Sequence, residues 1–274
     1  MQGCSGWRLR EPEYIVRMED GNHVPVDYEP LNRNRLIAML GVIFARQHPG
    51  CAIVTDSVTS EGLAVFLTSL GLQHVRYLKG YANVIGKARE LTESGQVYAP
   101  LAIETSGHCA MAENAYLDDG TYTAVKIISL LATERQKEAK SGKALSNSPL
   151  LDLIADLEEV DEIKELRMKT LDSSLDTMRY VFDILALEVA AAAETHEDWQ
   201  VDEENLEGLR IRTGDSQFFM LRKSLHDPII SLQIESRSSE HARTRVVRPL
   251  LQLMRDFPSI GDALDTSALE NYFY

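Results

Sequence analysis

Two short stretches hold the side chains best suited to chemistry. Glu104-Thr105-Ser106-Gly107-His108 follows the apolar run Leu101-Ala102-Ile103. A carboxylate there can accept hydroxyl protons from a polyol, Ser106 both donates and accepts, and Gly107 lets the backbone approach a ligand. The second stretch is Arg222-Lys223-Ser224-Leu225-His226-Asp227-Pro228. A guanidinium fork, a hydroxyl, an imidazole and nearby backbone amides can together surround a phosphate dianion. Each stretch also has a plainer reading. The first could be a capping loop whose Glu and Ser satisfy neighbouring amides, the second a solvated basic hairpin loop.

Other polar clusters carry less. Thr55-Asp56-Ser57-Val58-Thr59-Ser60 precedes a helix and offers hydroxyls and amides to an anion. Asp56 opposes an anion, so an ordinary helix cap fits better. Arg76 and Lys79 end a strand, where they can reach a phosphate or simply be solvated. Asp118-Asp119 reads as a cap beside the positive end of a helix dipole. The carboxylates between 152 and 162 read as a solvated face. Ser57 and Ser106 are candidate nucleophiles of a hydrolase, but neither sits in Gly-x-Ser-x-Gly. Cys4, Cys51 and Cys109 share no metal-ligand spacing and are expected to be reduced, small buried side chains.

The elements that must position these loops follow from periodicity. Residues 16–26 predict two short strands about an Asp-Gly turn. A helix is expected over 33–47, ended by His48-Pro49-Gly50. Strands at 51–55, 74–78 and 99–103 then alternate with helices at 60–70, 81–93 and 119–133. That alternation predicts a mostly parallel sheet covered on both faces, with ligands beyond the carboxyl ends of the strands. Between 134 and 149 the composition turns to Lys, Glu, Ser, Gly and Asn, which predicts a passage into a linker. Beyond it, helices are expected at 149–157 and 174–194, strands at 206–213, 217–221 and 229–235, and a closing helix at 240–255. The fold class is therefore α/β: a three-layer α/β/α domain, then a smaller α+β domain with an antiparallel sheet. The expected boundaries are 31–148 and 149–274, with 1–30 an N-terminal extension or the remnant of a preceding domain.

The 274 residues are ample for two cores. With 42 acidic against 28 basic side chains the net charge is −14, which argues against a sequence-independent nucleic-acid binder. No apolar run approaches the roughly 18 residues of a membrane span. The opening residues lack the apolar core of a secretory signal. A soluble, intracellular protein is expected.

Glu104-Thr105-Ser106-Gly107-His108 followed by Asp119-Gly120 resembles the Glu-x-Ser-Gly-His sugar-recognition loop of the α-D-phosphohexomutases. That superfamily contains phosphoglucomutase, phosphomannomutase and phosphoglucosamine mutase. Arg222-x-Ser224 with Asp227-Pro228 resembles its phosphate loop, Arg-x-Ser-Asn-Thr-Glu-Pro. HPGCAIVTDSVTSEGL, KGYANVI and SLHDPIISLQIES are similar to a plant and algal branch of the family. The likeness runs over residues 15–250 and implies the third and fourth of four domains, with 16–21 preserving the end of the second.

The resemblance implies that Glu104 and Ser106 bind sugar hydroxyls with His108 beside them. It implies that Arg222, Ser224 and His226 bind the substrate phosphate, with Lys79 a further candidate. Leu225-His226 departs from the usual Asn-Thr, exchanging a hydroxyl for an imidazole that titrates near neutrality. Leu78 stands where a basic residue is common. The complete family enzyme uses Mg²⁺ and a phosphoserine. Neither Thr-x-Ser-His-Asn-Pro nor Asp-Gly-Asp-x-Asp-Arg occurs in this sequence. The chain alone is thus expected to interconvert no hexose 1- and 6-phosphates, to carry no catalytic or metal-binding residue, and to act with a complementary N-terminal half or a full-length paralogue. The alternatives are a truncated or split enzyme, or a non-catalytic hexose-phosphate-binding or regulatory paralogue. A cytoplasmic location is expected, or a plastid one if a transit peptide has been lost by truncation.

Overall fold

The computed structural model describes residues 16–19, 22–25, 33–142, 146–224 and 226–274, the first two stretches by backbone alone. Strands β1 (Val16–Glu19) and β2 (Asn22–Pro25) form an antiparallel ladder in which Glu19 pairs with Asn22. This is the expected hairpin; its Asp-Gly turn lies outside the described residues. The chain divides into two compact units, Met1–Asn32 and Arg33–Tyr274. All the elements below belong to the second.

Helix α1 (Arg33–Gln47) buries Ile37, Leu40 and Phe44, which share one face at helical spacing. Then come β3 (Ala52–Asp56), α2 (Glu61–Ser69), β4 (Gln73–Tyr77), α3 (Tyr81–Glu93), β5 (Leu101–Ile103) and β6 (Cys109–Met111). The sheet order is β4-β3-β5-β6, with β3 parallel to both neighbours and β6 antiparallel to β5. Central β3 is buried along its whole length. Ile53, Leu101 and Ile103 pack with α1 and α2 on one face, while Ala52, Val54 and Ala102 pack with α3 on the other. The chain leaves β3 through α2 towards β4, then returns through α3 on the opposite face to β5. The winding reverses between β3 and β5, which opens a crevice at their carboxyl ends.

Two expectations about the following segment are corrected. Helix α4 (Gly120–Ser141) runs past its expected end at 133, into the stretch expected to pass from helix to linker. Its Glu, Arg, Gln, Lys and Ala residues are good helix formers, and Lys137–Glu134 and Arg135–Glu138 pair along it. Helix α5 is only Pro149–Asp152, and the charged stretch beyond it leads into an unforeseen strand, β7 (Glu162–Lys169). Only Met168 of β7 is buried, so its sequence shows no strong apolar alternation.

The second sheet is antiparallel throughout, in the order β7-β11-β10-β9-β8. Its other members, with the helix α6 (Leu175–Ala193) preceding them, are β8 (Gln200–Val201), β9 (Leu209–Gly214), β10 (Gln217–Lys223) and β11 (Ile229–Ser236). Helices α7 (Ser239–His241) and α8 (Arg248–Asp256) flank a π-helical stretch, Ala242–Val247, in place of the expected uniform helix. Pro249 has no N–H to offer the Arg245 carbonyl, which instead accepts the Trp199 indole N–H at 2.9 Å.

Alternation assigns the faces of this sheet. Ile211, Phe219, Leu221, Ile230, Leu232 and Ile234 pack beneath α6 and α8. Their neighbours Phe218 and Met220 turn the other way and pack on Val58, in the loop after β3. Arg210 is inserted between that loop and the sheet, with no exposed side-chain surface. Its guanidinium donates to the Ser57 carbonyl (3.0 Å), the Thr59 carbonyl (3.1 Å) and Glu61 Oε1 (2.9 Å). Its Nε lies 3.3 Å from Asp202 Oδ2, and its plane sits 3.4 Å from the Phe218 ring centre. Arg76 donates to the Ser60 carbonyl (3.0 Å) and also pairs with Glu61. Burial opposes the charge on Glu61, yet Arg76 and Arg210 outweigh it and hold its pKa below the ordinary value. Burial and the neighbouring Arg76 lower Arg210 to about 10, against the pull of Glu61 and Glu235.

Removing one partner of a buried ion pair is severe because the others stay desolvated. Arg210→Met is expected to lower stability by about 3–5 kcal/mol in urea unfolding and to separate the two sheets into two transitions. A loss under about 1 kcal/mol with a single transition would refute this.

Glu235 on β11 is almost fully buried and one carboxylate oxygen has no hydrogen-bond partner. Burial raises its pKa from 4.5 to about 7; Arg210, Arg76 and the Gln233 hydrogen bond pull it down, and Glu61 pushes it up. The folded state therefore holds the extra proton between these values, and stability is lost as pH rises from about 4.5 to 7. Glu235→Gln is expected to flatten that decline and to gain about 1–3 kcal/mol at pH 8. Parallel pH–stability curves for the two proteins would contradict it.

Candidate functional site

The Glu104–His108 stretch is the turn of the β5–β6 hairpin, where a direct passage to the next helix was expected. Glu104 N–H donates to the His108 carbonyl and Gly107 N–H to the Glu104 carbonyl, both at 2.9 Å. Gly107 has φ +96°, a conformation that favours glycine. Strand β6 escapes a sequence reading because Cys109-Ala110-Met111 is short and uniformly apolar. The turn is pinned to β3: Asp56 Oδ2 accepts the Thr105 hydroxyl (2.7 Å) and the Thr105 N–H (3.2 Å). Asp56 is fully buried. Burial raises its pKa, opposed by the Thr105 hydroxyl and the charge of Lys79 and reinforced by Glu104. This contact lies where the winding of the sheet reverses.

Glu104 is 4% exposed. Its Oε1 accepts the Gly80 N–H at 2.5 Å and its Oε2 the Ser106 hydroxyl at 3.3 Å. His108 is exposed, with Nδ1 2.6 Å from Asp118 Oδ2 and its ring centre 5.3 Å from that of Tyr81. Asp118 also accepts the Cys109 N–H (3.0 Å). The two aspartates thus divide their work. Asp119 caps α4 by accepting the Tyr122 N–H (2.9 Å), while Asp118 orients the imidazole and leaves Nε2 for other partners. Ser60 caps α2 as expected, accepting the Leu63 N–H at 3.0 Å.

Arg222 lies near the end of β10, its Nη1 3.5 Å from Glu207 Oε1. The Ser224 hydroxyl oxygen accepts the N–H groups of His226 (3.4 Å) and Asp227 (3.2 Å), so its own hydrogen is left to donate. These contacts of Ser224 and His226 stay within their own loop, and Leu225 lies outside the described residues. It is the backbone N–H of Lys79 that meets Glu207, at 2.9 Å from Oε2, and the Ser57 hydroxyl donates to the same oxygen at 2.5 Å.

Glu207 was not singled out in sequence, where it falls within 206–213 and reads only as part of a strand. Its one cue is Gly208. With φ +62°, a Cβ there would lie 2.1 Å from the Leu221 carbonyl oxygen, so only glycine lets the turn rest on β10. Cys51 and Cys109 are free and buried, their thiols pushed up by burial to about 11 and about 12. Among the described residues, no three His, Cys, Asp or Glu side chains converge to hold a metal ion. Nor is any described helix long and apolar enough to cross a membrane.

The mostly parallel domain that carries this hairpin has a known counterpart. Residues 32–148 match the family model for phosphoglucomutase/phosphomannomutase, alpha/beta/alpha domain III. The fold as a whole resembles a phosphoglucomutase/phosphomannomutase family protein from Burkholderia thailandensis, at TM-score 0.56 and 22% identity, over 90% of this chain and 44% of that one. Looser likenesses are to a putative phosphomannomutase from Thermus thermophilus and to an Aspergillus fumigatus N-acetylphosphoglucosamine mutase. The first has TM-score 0.47 and 16% identity, over 83% of this chain and 41% of that one. The second, in complex with GlcNAc-6P and magnesium, has TM-score 0.45 and 10% identity, over 82% and 47%. The chain spans less than half the length of these structures, and at such identities the likeness defines the fold. No match is found among the curated proteins.

Proposed function

We propose that this chain is a phosphohexomutase-family protein of carbohydrate metabolism whose two loops bind one hexose phosphate. Glu104 and Ser106 take sugar hydroxyls with His108 beside them; Arg222, Ser224 and His226 take the phosphate, with Lys79 adjoining. One observation carries this reading. The consecutive amides of Lys79 and Gly80 donate to Glu207 and Glu104 respectively, and Glu207 pairs with Arg222. Two loops more than a hundred residues apart in sequence are thereby joined through a single dipeptide.

The chemistry follows from the donors. Each oxygen of the buried Glu104 carboxylate keeps a second lone pair beyond its bond to Gly80 or Ser106, and can accept from a vicinal hydroxyl of a sugar. The guanidinium, the Ser224 hydroxyl and backbone amides supply charge-assisted bonds to phosphate. Phosphoryl transfer needs a nucleophile and charge neutralisation. The serine and metal motifs of the family do not occur in this sequence, and the work of its residues is binding and orienting. In the family the metal supplies that neutralisation. A complementary N-terminal half or a full-length paralogue is the proposed partner.

Calorimetry with glucose 1-phosphate and with inorganic phosphate tests the assignment. Arg222→Ala is expected to weaken both ligands by about ten- to a hundredfold. Glu104→Gln should weaken glucose 1-phosphate alone, by about tenfold. Unchanged binding to the Arg222 variant would remove the phosphate loop from the site.

A further inference from the structure

We propose that Glu207 is a built-in competitor for the phosphate: its carboxylate engages Arg222 and the Lys79 N–H, two donors of the proposed phosphate site, together with the Ser57 hydroxyl, and the ligand must displace it. This deepens the hexose-phosphate reading and rests on it for the identity of the phosphate loop. The donors come from three separate segments. The Ser57 hydroxyl follows β3, the Lys79 N–H follows β4, and the Arg222 guanidinium lies near the end of β10. A hydroxyl, a backbone amide and a guanidinium are the usual donors to a phosphate oxygen, and here all three converge on one carboxylate.

The anchoring of Glu207 suits displacement. Its own carbonyl accepts the Asn205 side-chain amide, and Gly208 rests against the Leu221 carbonyl. The backbone of the turn is therefore fixed, and the carboxylate can leave by side-chain rotation alone. Its side chain is partly exposed, at 17%, so the released carboxylate has a path to water. The 3.5 Å distance to Arg222 is long for a charge-assisted bond, which leaves the guanidinium the least committed of the three donors.

Competition of this kind sets selectivity. A phosphate monoester carries up to two charges and three terminal oxygens, against one charge and two oxygens for the carboxylate. A dianionic phosphate can outcompete Glu207, whereas a monoanionic carboxylate ligand merely matches it. The apparent affinity for phosphate is lowered by the fraction of time Glu207 holds the donors. Ser57 and Lys79 stand on the first sheet's loops, and Glu207 and Arg222 on the second's. A bound phosphate would thus replace one tie between the halves with another, while Arg210 keeps them together.

The test is calorimetric titration of inorganic phosphate into the full chain. Glu207→Gln keeps the shape but removes the charge, and is expected to bind phosphate about tenfold more tightly than the wild type. Adding Arg222→Ala to it should abolish the gain. Glu207→Asp, which keeps the charge but shortens the reach, should show a smaller gain and decides the matter if Glu207→Gln does not fold. Equal or weaker phosphate binding in these variants would overturn the proposal. So would loss of the fold in both, because Glu207 would then be a structural tie. If glucose 1-phosphate binds no better than inorganic phosphate throughout, the sugar reading fails while the Glu207 result stands. Arg222-dependent binding of glucose 1-phosphate with no gain in the Glu207 variants would remove this inference alone.

Discussion

The buried guanidinium of Arg210 is the constraint on which the arrangement of the site depends. Taking a cation out of water costs several kcal/mol even after relaxation, and only good geometry offsets that. Here the offset comes from two carbonyls, the Glu61 and Asp202 carboxylates and the face of Phe218. Both carbonyls belong to the loop that leaves β3, so fixing Arg210 fixes that loop against the second sheet. Ser57 and Asp56 are carried with it, and through them the contacts to Glu207 and Thr105.

A short chain of polar contacts runs from this latch to the surface. Asp56 holds Thr105, which sets the pitch of the hairpin turn; the turn presents Glu104 and Ser106 beside Gly80. Lys79, one residue earlier, meets the carboxylate that faces Arg222. Backbone amides rather than long side chains make two of these links, so they depend on where strands end and not on rotamer choice. That is the arrangement expected at the reversal point of a doubly wound sheet, where strand ends fan outward around a ligand.

Much of this was legible in sequence, and the failures share a cause. Helices α1, α2, α3 and α6 and strands β3, β4 and β5 follow local periodicity and turn chemistry, which act within a few residues. Strand β6 has no alternation to read and exists through its pairing with β5. Strand β7 hides among charged residues because it is an edge strand whose outer face meets solvent. Arg210 and Glu207 were missed for the same reason. Each sits in an ordinary polar sequence, and each acquires its role from partners about 130 to 150 residues away in the chain. The loop at Glu104 was visible because it packs a carboxylate, a hydroxyl and an imidazole around one glycine. Its link to Asp56 was not.

On the proposed function, the hairpin turn and the 222–228 loop form one binding site. Residue-resolved amide NMR during a glucose 1-phosphate titration tests it most directly. Signals from Lys79, Gly80, residues 104–108 and residues 224–227 are expected to shift together along one isotherm. Shifts confined to one loop, or two loops responding with different affinities, would contradict it.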